Sequence, residues 1–320
     1  MKLTFEDIMN YHPENREVFE DLKRKLPMVV PFVGAGLSVP CGYPQWGKAL
    51  EGMAKRIGDI SKKENVAEII KQKKYLEAAD QLEKILGQNR LANLLLQTFN
   101  EEKIASAREH LPEQAVFLLP LLFPKSPAVT TNFDRVLETV YREHQVPFDY
   151  VVHPGHPELE TKLTQGNIHG LFKIHGDVGK ETLEYSSIVF AKRQYDQVYQ
   201  SGSPLVTRLS QWFKNRILLF LGCSMDVDRT MELLGDVVQK NFGVTHFAIL
   251  QKKNDVDAQL RELEDTLGVR AILYPPEEHI AVRIILEKLL EESRPDIYRS
   301  LSYHAGALPK AAHSNSFRCV

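Results

Sequence analysis

The chain has 320 residues, 43% hydrophobic and 26% charged, with 40 basic residues against 42 acidic and a formal net charge of −2. That length predicts one large domain or two small ones with a sizeable core, and the balanced charge excludes a strongly basic nucleic-acid or membrane-surface binder. Cys41, Cys223 and Cys319 are far apart and odd in number, which argues against a disulfide framework or a zinc ribbon and predicts a reducing, cytoplasmic setting.

The opening stretch MKLTFEDIMNYHPENRE is too charged for a signal peptide. Residues 14–26 have the pattern of an amphipathic helix, closed at Leu26-Pro27, and MVVPFVG then reads as a buried strand. From Trp46 to Leu111, apolar residues recur at three- and four-residue spacing in KALEGMAKRI, KYLEAADQLEKIL and NRLANLLLQTF. That spacing predicts a helical insertion over 46–111, with KQKK at 71–74 on a solvated helix face. AVFLLPLLFP, residues 115–124, is too short to span a bilayer and is broken by Pro120. It is expected as a buried helix or a packed turn.

Strand patterns then return. SPAVTTNFD (126–134) predicts a short strand and a turn, followed by a helix over RVLETVYREH. FDYVV (148–152) and LFKIHG (171–176) are two further strands across a polar loop, and RILLFLG (216–222) is the most strongly strand-like run of the chain. MELLGDVVQKNF, DAQLRELEDTLG and HIAVRIILEKLLEE have helical patterns, alternating with strands at THFAIL and VRAILY. Alternating elements with strands apolar almost throughout predict a Rossmann-like α/β fold. Its sheet is mostly parallel, with helices on both faces and the helical subdomain inserted. The final stretch RSLSYHAGALPKAAHSNSFRCV loses the periodicity, as a linker or tail would.

Polar constellations follow four predicted strand ends. In a parallel α/β sheet, ligands sit at the carboxyl ends of strands, and helix starts there favour anions. Gly34 and Gly36 would let the backbone approach a pyrophosphate, with the Ser38 hydroxyl as a further donor; a tight turn without a ligand has the same spacing. Val39 stands where the usual dinucleotide fingerprint has a third glycine. In TTNFD, Asn132 and Asp134 either aim into a cleft or cap the next helix. In KIHG, His175 is either a working histidine or a satisfied structural one. In GCSMDVDRT, Gly222 and Ser224 could approach a nucleotide, and Asp226 or Asp228 could accept from a ribose hydroxyl or cap a helix. His153, His156, His169 and His175 are close in sequence, but neither a cysteine nor a calcium-type loop accompanies them, so no metal is expected. The absence of GxxxxGK[ST] and GxSxG argues against ATP hydrolysis and a nucleophile elbow.

Taken in order, Gly34-Ala35-Gly36-Leu37-Ser38, Thr131-Asn132-Phe133-Asp134, His175-Gly176 and Gly222-Cys223-Ser224 resemble the sirtuin family over residues 28–275. The resemblance implies an α/β domain in which NAD+ is a substrate. Gly34, Ala35, Gly36 and Ser38 would then hold the pyrophosphate. Asn132 and Asp134 would surround the nicotinamide ribose, His175 would be a general base, and Gly222 and Ser224 would line the adenosine ribose. Sirtuin deacylases usually carry a four-cysteine zinc module after the histidine, and residues 177–215 here contain no cysteine. With the long helical insertion, this is similar to the sirtuin-like domains of bacterial anti-phage defence systems, which hydrolyse NAD+ to ADP-ribose and nicotinamide.

That chemistry suits the residues. Breaking the nicotinamide–ribose bond builds positive charge on the ribose, which a dry pocket with fixed dipoles and a carboxylate stabilises. Asn132 can position a water, and an unperturbed His175 would titrate near neutrality and take a proton. The resemblance thus implies a cytoplasmic NAD+ hydrolase, homo-oligomeric, fused to or associated with a sensor or NTPase module, without membrane or direct nucleic-acid contact. Residues 1–300 would be the catalytic domain, and 301–320 would lead towards a further domain of a longer protein. The alternatives are a sirtuin-type ADP-ribosyltransferase or deacylase, and a non-catalytic module that senses NAD+ or ADP-ribose.

Overall fold

The computed structural model describes residues 3–154, 161, 169–178, 185, 188–225, 231, 232, 235 and 244–304. Seven strands, β1 (Val29–Val33), β2 (Ala128–Thr130), β3 (Tyr150–Val152), β4 (Gly170–Lys173), β5 (Ile217–Leu221), β6 (His246–Gln251) and β7 (Val269–Tyr274), form one sheet. Their order is β3-β4-β2-β1-β5-β6-β7, and every adjacent pair is parallel. This is the Rossmann-like α/β architecture expected from the alternation of elements.

A strand covered on both faces is apolar at nearly every position. In β1, Val29 and Val33 enter one core while Val30 and Phe32 enter the other. β5 divides Leu219 and Leu221 from Leu218 and Phe220, and β6 divides Phe247 and Ile249 from Ala248 and Leu250, in the same way. The continuous apolar runs are therefore two alternating sets, one for each face.

The α-helices bounded within the described residues are, in chain order, α1 (Phe5–Met9), α2 (Asn15–Lys25), α3 (Trp46–Ala54), α4 (Ile60–Lys71), α5 (Tyr75–Leu86), α6 (Gln88–Phe99), α7 (Glu102–Ala107), α8 (Leu119–Leu122), α9 (Val136–Glu143), α10 (Lys192–Val198), α11 (Pro204–Asn215), α12 (Val256–Arg261), α13 (Ile280–Ser293) and α14 (Pro295–His304). Between β1 and β2 the chain forms only helices and 3-10 turns. The buried Leu50, Val66, Leu82, Leu91 and Leu95 of this layer join the core on one sheet face. The layer therefore shares the core of the α/β body instead of closing one of its own. AVFLLPLLFP is a 3-10 turn, Ala115–Leu118, followed by α8. Pro120 lies in the first turn of α8, where its missing N–H removes no intrahelical bond.

Several boundaries differ from the sequence expectation. α14 runs to His304, into the stretch expected as a linker, because Ile297, Tyr298 and Leu301 pack against the core. DAQLRELEDTLG leaves the α pattern at a π turn over Glu262–Thr266. LFKIHG is extended only to Lys173, so His175 stands beyond the strand. Most of MELLGDVVQKNF, and residues 305–320, lie outside the described residues. None of the described helices is long and apolar enough to cross a membrane.

Candidate active site

The strand order reverses at β1: β2 and β4 lie on one side of it, and β5, β6 and β7 on the other. Ligands of open α/β sheets bind beyond the carboxyl ends of the strands at such a reversal. The loops that leave β1 and β5 meet there backbone to backbone. Gly34 N–H donates to Leu221 O at 2.8 Å, and Gly36 N–H donates to Gly222 O at 2.9 Å. A Cβ at Gly34 would stand 2.6 Å from the Gly222 carbonyl oxygen. Gly222 has φ 66°, and a Cβ there would stand 2.6 Å from Leu37 N. These glycines are required by the contact of one loop with the other, whatever else they hold. Three residues past Gly222, the buried Met225 has φ 55°, a left-handed conformation uncommon for a residue with a side chain.

Asn132, Ser38 and Asp134 are joined beside this contact. Asn132 Nδ2 donates to Gly34 O and to Ser38 Oγ, each at 3.1 Å. Its backbone N–H donates to Thr130 Oγ1 at 3.0 Å, and Thr130 Oγ1 donates to Val33 O at 2.7 Å. Asp134 Oδ1 accepts from Val136 N–H, the first residue of α9, at 3.1 Å, from one position before the Arg135 cap. The Ser38 hydroxyl also hydrogen-bonds to Asp134. Burial pushes the Asp134 carboxyl above its usual range, against the opposing pull of Lys173 and of its hydrogen bonds. Ser38, Asn132 and Asp134 are all buried.

His175 lies on the neighbouring strand end. Thr130 and Lys173 are register partners, and Asn132 and His175 each stand two residues further along. His175 Nε2 is 3.0 Å from the Tyr199 hydroxyl, and Nδ1 is 3.5 Å from the Tyr195 hydroxyl. Burial pulls its pKa down to about 3, in place of the near-neutral value expected of an unperturbed ring. The imidazole is therefore neutral across the physiological range.

Sequence reading missed the charged group beneath the site. Lys173 is fully buried, and its ammonium donates to Phe133 O at 3.2 Å, Asp134 O at 2.6 Å, Glu138 Oε1 at 3.0 Å and Asp177 Oδ1 at 2.6 Å. Asp177 also accepts from Arg135 at 2.9 Å, and Arg135 reaches Glu101 of the helical layer at 3.0 Å. Burial opposes the charge of Lys173, but Glu138, Asp177 and Asp134 hold its pKa above the usual range. Burial likewise opposes the charge of Asp177, but Lys173 and Arg135 outweigh it and hold the carboxyl low. The group fixes the loop that carries Asn132 and Asp134. A lysine inside an apolar strand and an aspartate two residues after His175 were its only signals in sequence. Trp46 and Phe99 of the helical layer cover the same loop, with ring centroids 5.8 and 5.4 Å from Phe133.

The remaining candidates divide. Ala35 and Gly36 are half-buried, Gly222 is half-buried and Ser224 is exposed. Asp226, Asp228 and His156 lie outside the described residues. The two nitrogens of His169 face Ser126 O at 2.8 Å and Val146 O at 3.1 Å, and His153 Nδ1 is 3.0 Å from Pro154 O. Among the described residues, no three histidine, cysteine or carboxylate side chains form a metal-sized group.

The chain is similar to curated proteins named NAD(+) hydrolase ThsA. It is 26% identical over 230 residues to that of Acinetobacter baumannii (strain 532279), covering 71% of this chain and 43% of the relative. It is 29% identical over 193 residues to that of Bacillus cereus (strain MSX-D12), covering 60% and 36%, and 27% identical over 241 residues to that of Enterococcus faecium, covering 71% and 45%. The chain thus spans less than half the length of these relatives. A family model described as SIR2-like domain matches residues 127–272, a span that holds Asn132, Asp134, His175, Gly222 and Ser224.

Proposed function

We propose that this chain hydrolyses NAD+ to ADP-ribose and nicotinamide, as the catalytic part of an anti-phage defence protein. The observation that supports the reading is the hydrogen bond of Asn132 to Ser38 and Gly34 O beyond β1 and β2, with His175 two residues past the register partner of Thr130 on β4. The names of the relatives support it.

In the reaction, the bond between the nicotinamide nitrogen and ribose C1′ breaks. Its electron pair leaves with nicotinamide and neutralises the pyridinium. A water oxygen adds to C1′, and the water's proton is lost. The Gly34–Ala35–Gly36 turn cradles the pyrophosphate, with Ser38 bracing it, and Gly222, Ser224 and Asp226 line the adenosine side. Asn132 Nδ2 is engaged with Gly34 O and Ser38 Oγ, which leaves Oδ1 to accept from the water or a ribose hydroxyl. Asp134 contributes negative potential near the developing cation. A neutral His175 does not repel that cation and accepts the proton at a ring nitrogen that gives up its tyrosine hydroxyl contact. Residues 1–300 act as one catalytic domain with the 46–111 helices inserted. The protein works in the cytoplasm as a homo-oligomer, with a sensor or NTPase module fused or associated.

The test is turnover of NAD+ carrying label on the adenosine, with product identification. Free labelled ADP-ribose and released nicotinamide are expected. Label transferred to protein would make the chain an ADP-ribosyltransferase, and binding without turnover would make it a sensor.

A further inference from the structure

We propose that Asp80, in the helical layer, is a positioning residue for His175, acting through α10; this rests on the reading of His175 as the proton acceptor. α10 has only seven residues, Lys192–Val198, too few to be stable by themselves. Its place is set by what holds its ends. The first N–H groups of a helix have no intrahelical acceptor, and Ala191 at the cap position has no side-chain oxygen to offer them. The acceptor comes from α5 instead. Asp80 Oδ1 takes the Lys192 N–H at 2.7 Å, across 112 residues of sequence. A second carboxylate of α5, Glu83, reaches Arg193 at 3.5 Å.

The same short helix orients the histidine. Tyr195, inside α10, and Tyr199, at its C-cap with its N–H on Tyr195 O at 2.8 Å, stack with ring centroids 5.8 Å apart and planes 16° from parallel. Their hydroxyls stand 3.5 Å from His175 Nδ1 and 3.0 Å from Nε2. The two hydrogen-bonding atoms of the imidazole are therefore addressed from α10 and its C-cap residue. A shift of α10 at its N-terminus moves both phenols, and with them the tautomer and tilt of the ring. The chain of contacts runs from Asp80 to the Lys192 N–H, along one helix, to two phenols and one imidazole. It couples the helical layer to the proton acceptor without Asp80 touching the site.

The experiment uses the full chain with 15N-labelled histidine, in which the His175→Gln variant identifies the His175 ring resonances. Asp80→Ala is expected to shift both ring nitrogens of His175 and to lower kcat for NAD+ about tenfold with KM unchanged, the scale of a small misplacement of a catalytic group. Asp80→Asn keeps an acceptor oxygen and is expected to restore both. Lys192→Pro deletes the bonded N–H while leaving a favourable first helical residue, and is expected to match Asp80→Ala should that variant not fold. Asp255→Ala removes the comparable cap of α12, an acceptor 2.9 Å from Ala258 N, and is expected to leave the His175 resonances in place. Unmoved His175 resonances in Asp80→Ala or Lys192→Pro would overturn the proposal. A wild-type chain without NAD+ turnover would instead overturn the functional reading, and the resonances would still decide the role of Asp80.

Discussion

Asn132 Nδ2 donates to the Ser38 hydroxyl at 3.1 Å, joining two loops that lie 94 residues apart in sequence. The same nitrogen holds Gly34 O at 3.1 Å, so the Asn132 amide forms part of the wall of the glycine loop. Ser38→Ala removes an oxygen that accepts from Asn132 and hydrogen-bonds to Asp134. The buried partners are left short of a bond, at a cost of about 1–3 kcal/mol. Chemical denaturation should record that loss. Steady-state kinetics should record a fall in kcat larger than the rise in KM, because Asn132 loses its orientation.

Gly222→Ala should act on binding. Its Cβ would stand 2.6 Å from Leu37 N in a backbone conformation with φ 66°. Strain of this kind costs about 1–3 kcal/mol, and the Gly34–Ser38 turn must move to relieve it. Titration calorimetry should show weaker binding of ADP-ribose, while circular dichroism keeps the wild-type helix content. Unchanged affinity would mean that the two loops do not share the ligand.

Lys173→Met tests the buried charge group. The variant leaves Glu138 buried without its cation and Asp177 with Arg135 alone. Breaking a buried pair in this way costs about 3–5 kcal/mol. Without Lys173 the two carboxyls shift upward, so the folded variant binds protons more readily than the unfolded chain. Its deficit should therefore shrink as the pH falls towards about 5. Urea denaturation of both proteins at two pH values measures this, and a deficit that grows on acidification would refute it.

The histidine gives a pH dependence of opposite cause. Burial pulls the His175 pKa down to about 3 in the folded chain, from the ordinary 6.5 of an unperturbed imidazole. Between these values the unfolded chain binds a proton that the folded chain does not. Stability from this residue is therefore complete above about pH 6.5 and declines below it, by up to about 1.4 kcal/mol per pH unit. His175→Gln should flatten the acid side of the stability profile by one proton. His246, held near 4 by burial, keeps its own contribution in both proteins. The acid limb of kcat/KM should correspondingly fall below the ordinary histidine range.

The sheet is legible because central strands fill two cores and are apolar along their length, as in ILLFL of β5. The strand-end motifs were legible because polar residues stop those runs abruptly. The reach of the motifs was not. Gly34 and Gly222 require each other across the sheet, and neither loop records that contact in its own sequence. Lys173 reads as an ordinary polar position of a strand, although its ammonium binds two backbone carbonyls and two carboxylates. Tyr195 and Tyr199 have helical spacing, but their histidine partner lies on another element. Among the described residues, Leu301 alone in the last turns of α14, from Arg299 to His304, makes an apolar contact with the core, so the helix end is not legible there.

NAD+ turnover by the wild-type chain and by its Asn132→Ala and His175→Ala variants, followed by nicotinamide release over a range of protein concentrations, tests the central claim most directly. Nicotinamide and free ADP-ribose in equal amounts from the wild type, with loss of both in either folded variant, is the predicted result. Nicotinamide release at the wild-type rate from either variant would contradict the site, and an inactive wild type at every concentration would contradict the activity.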